Sequence, residues 1–215
     1  MQKQIAVIGL GRFGQLLCKE LMALQVQVLA IDKKEQAVRH VSADVTEAII
    51  ADATDERVIN ELNLASYHCV IISFGDNTGA CLLAAIGLKE AGVKNLWVKS
   101  NNELQTKILR KVGTDHIISP EKNIAKTLSR QMVSNLLFGS VDLGDDLTIY
   151  ELKIYEHLAG KPLSHIKIPH TTYALAIKRK KELQPVTSQD IILDSGDILI
   201  LGGSIEDLQQ LLNKF

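Results

Sequence analysis

Several chemistries are excluded by what this chain lacks. It has only three cysteines, Cys18, Cys69 and Cys81, an odd number without CxxC spacing. That rules out a disulfide framework and a zinc ribbon, and leaves buried free thiols as the expectation. No apolar run approaches the roughly 20 residues of a membrane-spanning helix. The opening Met1-Gln2-Lys3-Gln4 leads only into Ile5 to Leu10, too short for a signal-peptide core, so a cytoplasmic chain is expected. Neither sign of charge dominates: 24 Lys and Arg stand against 25 Asp and Glu. The basic footprint of general nucleic-acid binding is therefore missing. The sequence contains no HExxH, GxSxG or GxxxxGK[ST] motif. His157, His165 and His170 share one region, but they lack ligand spacing and an acidic partner for a metal.

What is present is globular chemistry, 46% hydrophobic and 23% charged over 215 residues. A chain of that length buries enough apolar surface to fold without staples. Short β-branched runs recur at 5–8, 27–31, 48–50, 69–72, 96–98 and 116–118, with little polar alternation. Such runs are expected of parallel strands covered on both faces. Helical periods lie between them, such as Phe13, Leu16, Leu17, Leu21 and Leu24. The repeat predicts an α/β fold, a Rossmann-like doubly wound parallel sheet over residues 1–120.

Ser119-Pro120-Glu121 opens a further helix, because Ser caps well and Pro fits the first turn. Its stripe of Ile124, Leu128, Met132 and Leu136, with Val133 and Leu137 beside it, makes 121–138 a connecting or crossover helix. That stripe either docks on its own domain or forms a hinge or subunit contact. From 139 to 215 a small α+β domain is expected, with strands at 147–154 and 173–177 and a closing helix at 205–212. Two runs, 191–193 and 198–201, read as a hairpin around Asp194-Ser195-Gly196-Asp197. The basic run Lys178 to Lys181 reads as a solvated turn, or less simply as a contact to anionic lipid or a partner. Charge divides mildly, with 16 basic and 14 acidic residues up to 138, and 8 and 11 beyond it.

One motif carries chemistry. Gly9-Leu10-Gly11-Arg12-Phe13-Gly14 matches GxGxxG, follows the first strand, opens a helix and is followed by Asp32 at the end of the second strand. Gly9 permits the turn, Gly11 keeps a Cβ away from phosphate, and Gly14 lets the helix approach the sheet. The helix N-terminus offers free N–H groups and a partial positive charge to an anion. Asp32 can accept from both ribose hydroxyls and would repel a 2′-phosphate. Other strand ends add Asp52-Ala53-Thr54, then Ser73-Phe74-Gly75-Asp76, and Lys99; loop solubility explains Asp52 and Lys99 about as well. Arg12 either faces solvent, adds charge beside phosphate, or reaches across a subunit boundary. A dehydrogenase would need a substrate domain carrying a general acid or base, and about 75 residues is small for that.

The chain resembles the RCK family, regulators of potassium conductance, and most closely its KtrA-like regulatory subunits of bacterial potassium uptake systems. The resemblance spans both halves: AVIGLGRFG at 6–14, AIDK at 30–33, ADAT at 51–54, WVKS at 97–100 and SPEK at 119–122, then LAGKPLSHI at 158–166, ALAIKR at 174–179 and DSGDILILGG at 194–203. It implies an RCK N-terminal domain followed by an RCK C-terminal domain. It also implies a homodimer assembling into an octameric ring beneath a membrane potassium-translocating subunit. Its ligands would be ATP and ADP in opposition, NAD(H) as a further ligand, and a divalent cation or Na⁺ accompanying ATP. By this resemblance Gly9, Gly11, Arg12, Phe13, Gly14, Asp32, Lys33, Asp52, Ala53, Thr54, Gly75 and Lys99 form the nucleotide site. Glu121 would sit near the terminal phosphates and the cation. The C-terminal domain of relatives binds a second ligand such as cyclic di-AMP, and residues 164–178 with Pro185-Val186 lie in the corresponding region. The expected function is nucleotide-controlled gating without catalysis. The alternatives are a small NAD-dependent oxidoreductase and, more remotely, a nucleotide-binding transcriptional regulator.

Overall fold

The computed structural model describes residues 3–75, 77–133, 137–144 and 146–212, and resolves two compact units, 1–120 and 121–215. Asp76 and Leu136, both named above, lie outside the described residues.

The first unit alternates strand and helix throughout. Its elements are β1 (Gln4–Ile8), α1 (Arg12–Ala23), β2 (Gln27–Asp32), α2 (Glu35–Val41), β3 (Glu47–Ile50), α3 (Glu56–Glu61), β4 (Cys69–Ile72), α4 (Thr78–Glu90), β5 (Leu96–Lys99), α5 (Glu103–Val112) and β6 (His116–Ile118). The strands pair in parallel in the order β3-β2-β1-β4-β5-β6. That is the doubly wound order, and it reverses direction between β1 and β4.

The unbroken apolar runs have a direct cause, since each strand feeds two cores. Ala6 and Ile8 of β1 join Leu29, Ile31, Val70 and Ile72 in a cluster closed by α4 residues Cys81, Ala84, Ala85 and Leu88. Val7 faces the other way, with Val28, Ala30 and Cys18, under α1 and α2. Cys18 and Cys81 are fully buried and Cys69 partly so; all three are free. Burial pushes each thiol up to about 11, so they are packing groups and not nucleophiles.

The second unit begins in α6 (Pro120–Val133) and continues with β7 (Leu137–Gly144), β8 (Leu147–Lys153), β9 (Tyr173–Arg179), β10 (Glu182–Pro185), β11 (Ile198–Gly203) and α7 (Ile205–Leu212). The strands form an antiparallel sheet in the order β10-β9-β11-β8-β7. One face buries Tyr150, Leu152, Ile177, Leu199 and Leu201 against Leu158, Leu163, Ile166, Leu193 and Leu211 of α7.

Three expectations change here. The helical stripe does not run on through Leu137: α6 ends at Val133 and Leu137 opens β7. Within α6, Ile124, Leu128 and Met132 are 60%, 45% and 79% exposed.

The predicted hairpin is also absent. The Gly196 turn forms, with φ +88°, but Ile191–Leu193 pairs instead with the loop at 160–163, through Leu163 N–H to Ile191 O and Leu193 N–H to Lys161 O. The strand partners of β11 are β8 and β9. A local turn cannot outbid two long neighbours once the sheet offers them.

Finally, the basic run is not wholly solvated. Lys180 and Lys181 form the two-residue β9–β10 turn, but Arg179 is pinned. Its guanidinium donates to both oxygens of Asp197 at 2.7–3.3 Å and to Ile192 O at 2.9 Å, and it pairs with Asp194 at 3.1 Å.

Candidate functional site

The site grows from the β1–α1 turn. Gly9 sits at φ +93°, where only glycine is unstrained, and its N–H donates to Ile31 O at 2.8 Å. Its carbonyl is a packing junction, because the Ser73 hydroxyl donates to it at 2.5 Å and a Cβ built on Gly14 would lie 2.0 Å from it. Gly14 is therefore fixed by helix-to-sheet approach. Gly11 differs in kind: its backbone is extended, and a Cβ built there meets nothing within 4 Å. Packing does not demand a glycine at 11. Gly11 is also the N-cap of α1, with no side-chain cap and no acidic residue in the first turn. The helix thus presents uncapped N–H donors and the positive end of its dipole to whatever occupies the turn.

Asp32 ends β2 beside this turn. Its Oδ2 accepts from Leu10 N–H at 2.7 Å and its Oδ1 from Lys34 N–H at 2.9 Å. The carboxylate therefore shapes the glycine turn as well as facing the cavity. A carboxylate has about four lone-pair sites, so each oxygen keeps acceptor capacity for a hydroxyl. At the end of β3, Asp52 Oδ1 accepts from the Thr54 N–H at 3.1 Å and hydroxyl at 2.8 Å. Those bonds, with Lys33 Nζ at 3.8 Å from Oδ2, hold the Asp52 carboxyl below the usual carboxylate range.

These elements enclose a cavity of about 470 Å³ at the carboxyl ends of the strands, around the β1/β4 reversal. Of the expected residues, Gly9, Gly11, Asp32, Lys33, Asp52, Ala53 and Gly75 line it. Leu10, Lys34, Ala37, Ala51, Ser73, Phe74, Asn77 and Ala80 line it as well. Ser73 and Phe74 belong to the β4 strand end named above and Leu10 to the glycine motif, whereas Lys34, Ala37 and Ala80 carry no such mark. Asn77 had a readable signal: it caps α4, accepting from Ala80 N–H at 3.0 Å.

The remaining expected residues stand outside the lining. Gly14 packs beneath the turn, and Thr54 braces Asp52. Arg12 is exposed at the head of α1. Lys99 is buried, its ammonium 5.8 Å from the centre of the Phe13 ring, a cation–π contact on the β5 side. Glu121 belongs to the second unit, and among the described residues no three His, Cys, Asp or Glu side chains converge as a metal site.

The second unit carries its own open cavity, about 600 Å³, lined by Ser164, Lys167, His170, Thr172, Val186 and Ser188 among others. Pro185 is not part of that lining.

Among the described residues no helix is long and apolar enough to cross a membrane. Residues 5–120 match the TrkA-N domain and residues 147–215 the TrkA-C domain. The chain is 38% identical to the Ktr system potassium uptake protein A of Vibrio alginolyticus, over 99% of its own length and 97% of that protein. It is 36% identical to the Ktr system potassium uptake protein C of Bacillus subtilis (strain 168), over 98% and 96%. Among solved structures it resembles the GsuK channel (TM-score 0.68, 16% identity) and the GsuK channel bound to NAD (TM-score 0.64, 15% identity). In both it covers 98% of its own length but 39% of the channel chain, which shows a shared fold. Both domain models in one chain, in this order, and end-to-end similarity to Ktr proteins establish that it belongs to the RCK family, among the KtrA-like members.

Proposed function

We propose that this chain is a cytoplasmic, nucleotide-sensing regulatory subunit that gates a membrane potassium transporter or channel, held at the inner membrane by that partner. One observation carries the reading. A cavity built from Gly11, the uncapped α1 terminus and Asp32 lies in a chain that aligns end to end with Ktr potassium uptake proteins. The cavity suits an adenine nucleotide: apolar walls from Ala37, Ala51 and Ala80 for a base, Asp32 for a ribose and the α1 N-terminus for phosphate.

In this reading ATP and ADP are opposing ligands, with NAD(H) a competing occupant. ATP exceeds ADP by one phosphate, and a charge-assisted hydrogen bond from Arg12 to it is worth roughly 1.5–3 kcal/mol. Moving a two-state element from 1:99 to 99:1 takes about 5.5 kcal/mol of differential binding. One subunit falls short and several coupled ones suffice, which favours a homodimer built into an octameric ring. The exposed α6 stripe of Ile124, Leu128 and Met132 supplies an apolar surface for such a hinge or subunit contact. Glu121 would share a divalent cation or Na⁺ with the terminal phosphates, the phosphates supplying most of the oxygen ligands. The Lys167–His170 cavity would take a second anionic ligand of the cyclic di-AMP class. Nothing bound is chemically transformed.

Competition calorimetry with ATP, ADP and NADH, run beside a mass measurement in solution, tests the reading. ATP and ADP should compete for one site on an oligomer of defined mass, and Arg12→Ala should bring their affinities closer by about tenfold. An Arg12→Ala protein with an unchanged ATP/ADP ratio removes the sensing role from Arg12. Failure to bind any of the three, or steady NADH consumption with a candidate substrate, favours the oxidoreductase or another alternative.

A further inference from the structure

The cavity wall between β4 and α4 is held at three points, and the middle one comes from outside the nucleotide motif. At one end the Ser73 backbone N–H donates to Ile8 O at 2.7 Å and its hydroxyl to Gly9 O. At the other end the Asn77 side chain caps α4. Between them lies Gly75, the residue type with the most backbone freedom to lose on ordering. Its carbonyl accepts from Asn101 Nδ2 at 2.6 Å. Only the amino end of an asparagine amide can face a carbonyl, which settles the orientation.

Asn101 is itself held by a rigid turn. Its backbone N–H donates to Gln105 Oε1 at 2.9 Å, and the Gln105 N–H donates to Asn102 Oδ1 at 2.8 Å. Gln105 and Ser100 are each 1% exposed, and the Ser100 hydroxyl is tied to Asn102 O at 2.9 Å and to the Thr106 hydroxyl at 2.8 Å. The Gln105 amide also lies beside the Cys81 thiol in the first turn of α4. Burying this many polar groups is costly, and packing alone would be met more cheaply by apolar side chains. At one exposed end of the network the Asn101 amide bonds Gly75, which lines the cavity.

We infer that Asn101 is a positioning residue for the nucleotide, fixing the Gly75 carbonyl and hence the Ser73–Gly75 part of the wall from the β5–α5 turn. It lines no part of the cavity and acts through Gly75. The inference rests on the proposed nucleotide reading of this cavity. It also gives α5 a mechanical link to the bound state, because the turn that carries Asn101 runs directly into Asn102, the N-cap of that helix.

Two variants of the full-length protein separate donation from filling: Asn101→Ala removes the side chain, and Asn101→Leu keeps its volume without a donor. ATP affinity by calorimetry should fall about fivefold in both. The melting temperature of the nucleotide-free protein should stay within about 2 °C of the parent, since Asn101 is exposed. A loss smaller than threefold in Asn101→Ala, parental affinity in Asn101→Leu, or a melting temperature that falls in step with affinity each overturns the inference. Asp32→Ala is the control for the cavity itself. If it abolishes ATP binding while Asn101→Leu binds as the parent does, the positioning role fails and the nucleotide reading stands. If the parent binds no ATP, or Asp32→Ala binds as tightly as the parent, the nucleotide reading fails and the inference with it.

Discussion

The two units stabilise their sheets in opposite ways. The parallel sheet of residues 1–120 is covered on both faces, and its two clusters are almost wholly apolar. Its polar bonds sit at the strand ends: Asp32, Ser73, Asp52 and Asn101 bond to backbone groups at the carboxyl side, and Asp115 accepts from Lys89 Nζ and Leu96 N–H at the amino side. The antiparallel sheet of the second unit buries one face and carries polar networks within its framework. Arg179 fastens the 194–197 turn through Asp197. Asp207 on α7 accepts from the hydroxyls of Thr171 and Thr172, and the Tyr150 hydroxyl bonds to Thr172. The first unit therefore keeps both sheet faces apolar and confines its polar bonds to the strand ends. The second makes polar contacts part of its stability.

That contrast is easiest to break at Asp197, which is 2% exposed and accepts from Arg179 and from Asp194 N–H. Asp197→Ala strips a buried acceptor from a guanidinium and should cost about 3 kcal/mol in chemical denaturation, with ATP affinity unchanged. An effect below 1 kcal/mol would mean the second unit depends on its apolar core as much as the first does.

The glycines sharpen the contrast inside the first unit. Gly14→Ala drives a methyl to within 2.0 Å of Gly9 O and should destabilise by about 2–3 kcal/mol. Gly11→Ala meets no protein atom, so stability should change by less than about 0.5 kcal/mol while ATP binding falls at least tenfold. Equal stability losses in the two variants would contradict the division between packing glycine and ligand glycine.

The smallest effect is set by pH. The Thr171 hydroxyl, assisted by Ser204 and Thr172, holds the Asp207 carboxyl below its ordinary value. A carboxyl depressed in the folded state contributes stability in full above its unfolded pKa, near 3.9, and loses it as pH falls through the lower folded value. Asp207→Asn should therefore lower stability by a constant amount between pH 6 and 8 and flatten the acid limb of the stability curve below about pH 4. Circular-dichroism melts across that range read it directly.

The first unit was legible because two-sided burial forces continuous β-branched runs, and all six runs became strands. Its glycine motif was legible for a related reason: Gly9 and Gly14 satisfy constraints of a few ångströms that no other residue meets. The second unit was less so. Its strands alternate, β10 (Glu182–Pro185) is exposed throughout, and β7 starts where the helical period of α6 still reads on. The 191–201 hairpin was misread because pairing in a sheet is decided by distant strands and not by the turn. Much of the cavity wall, Ala37, Ala51 and Ala80 included, was invisible for another reason, since small apolar residues look alike whether they face a core or a ligand. Asn101 was hidden beside Asn102, whose capping role gives an Asn-Asn pair a sufficient local explanation.

The chain contains one tryptophan, and the fold has placed it usefully. Trp97 of β5 stacks on His116 of β6 with ring centroids 4.2 Å apart, while its indole N–H is held by Asn95 at 2.9 Å. Two residues further along the same strand lies Lys99, against Phe13 of the glycine-turn helix. Intrinsic emission excited at the indole band therefore originates from a single locus, against the core cluster on the α1 side of the sheet. Any slippage of β5 against β6 alters the imidazole overlap and so the quantum yield, which gives this molecule an unlabelled optical gauge of strain at the β5–β6 pair.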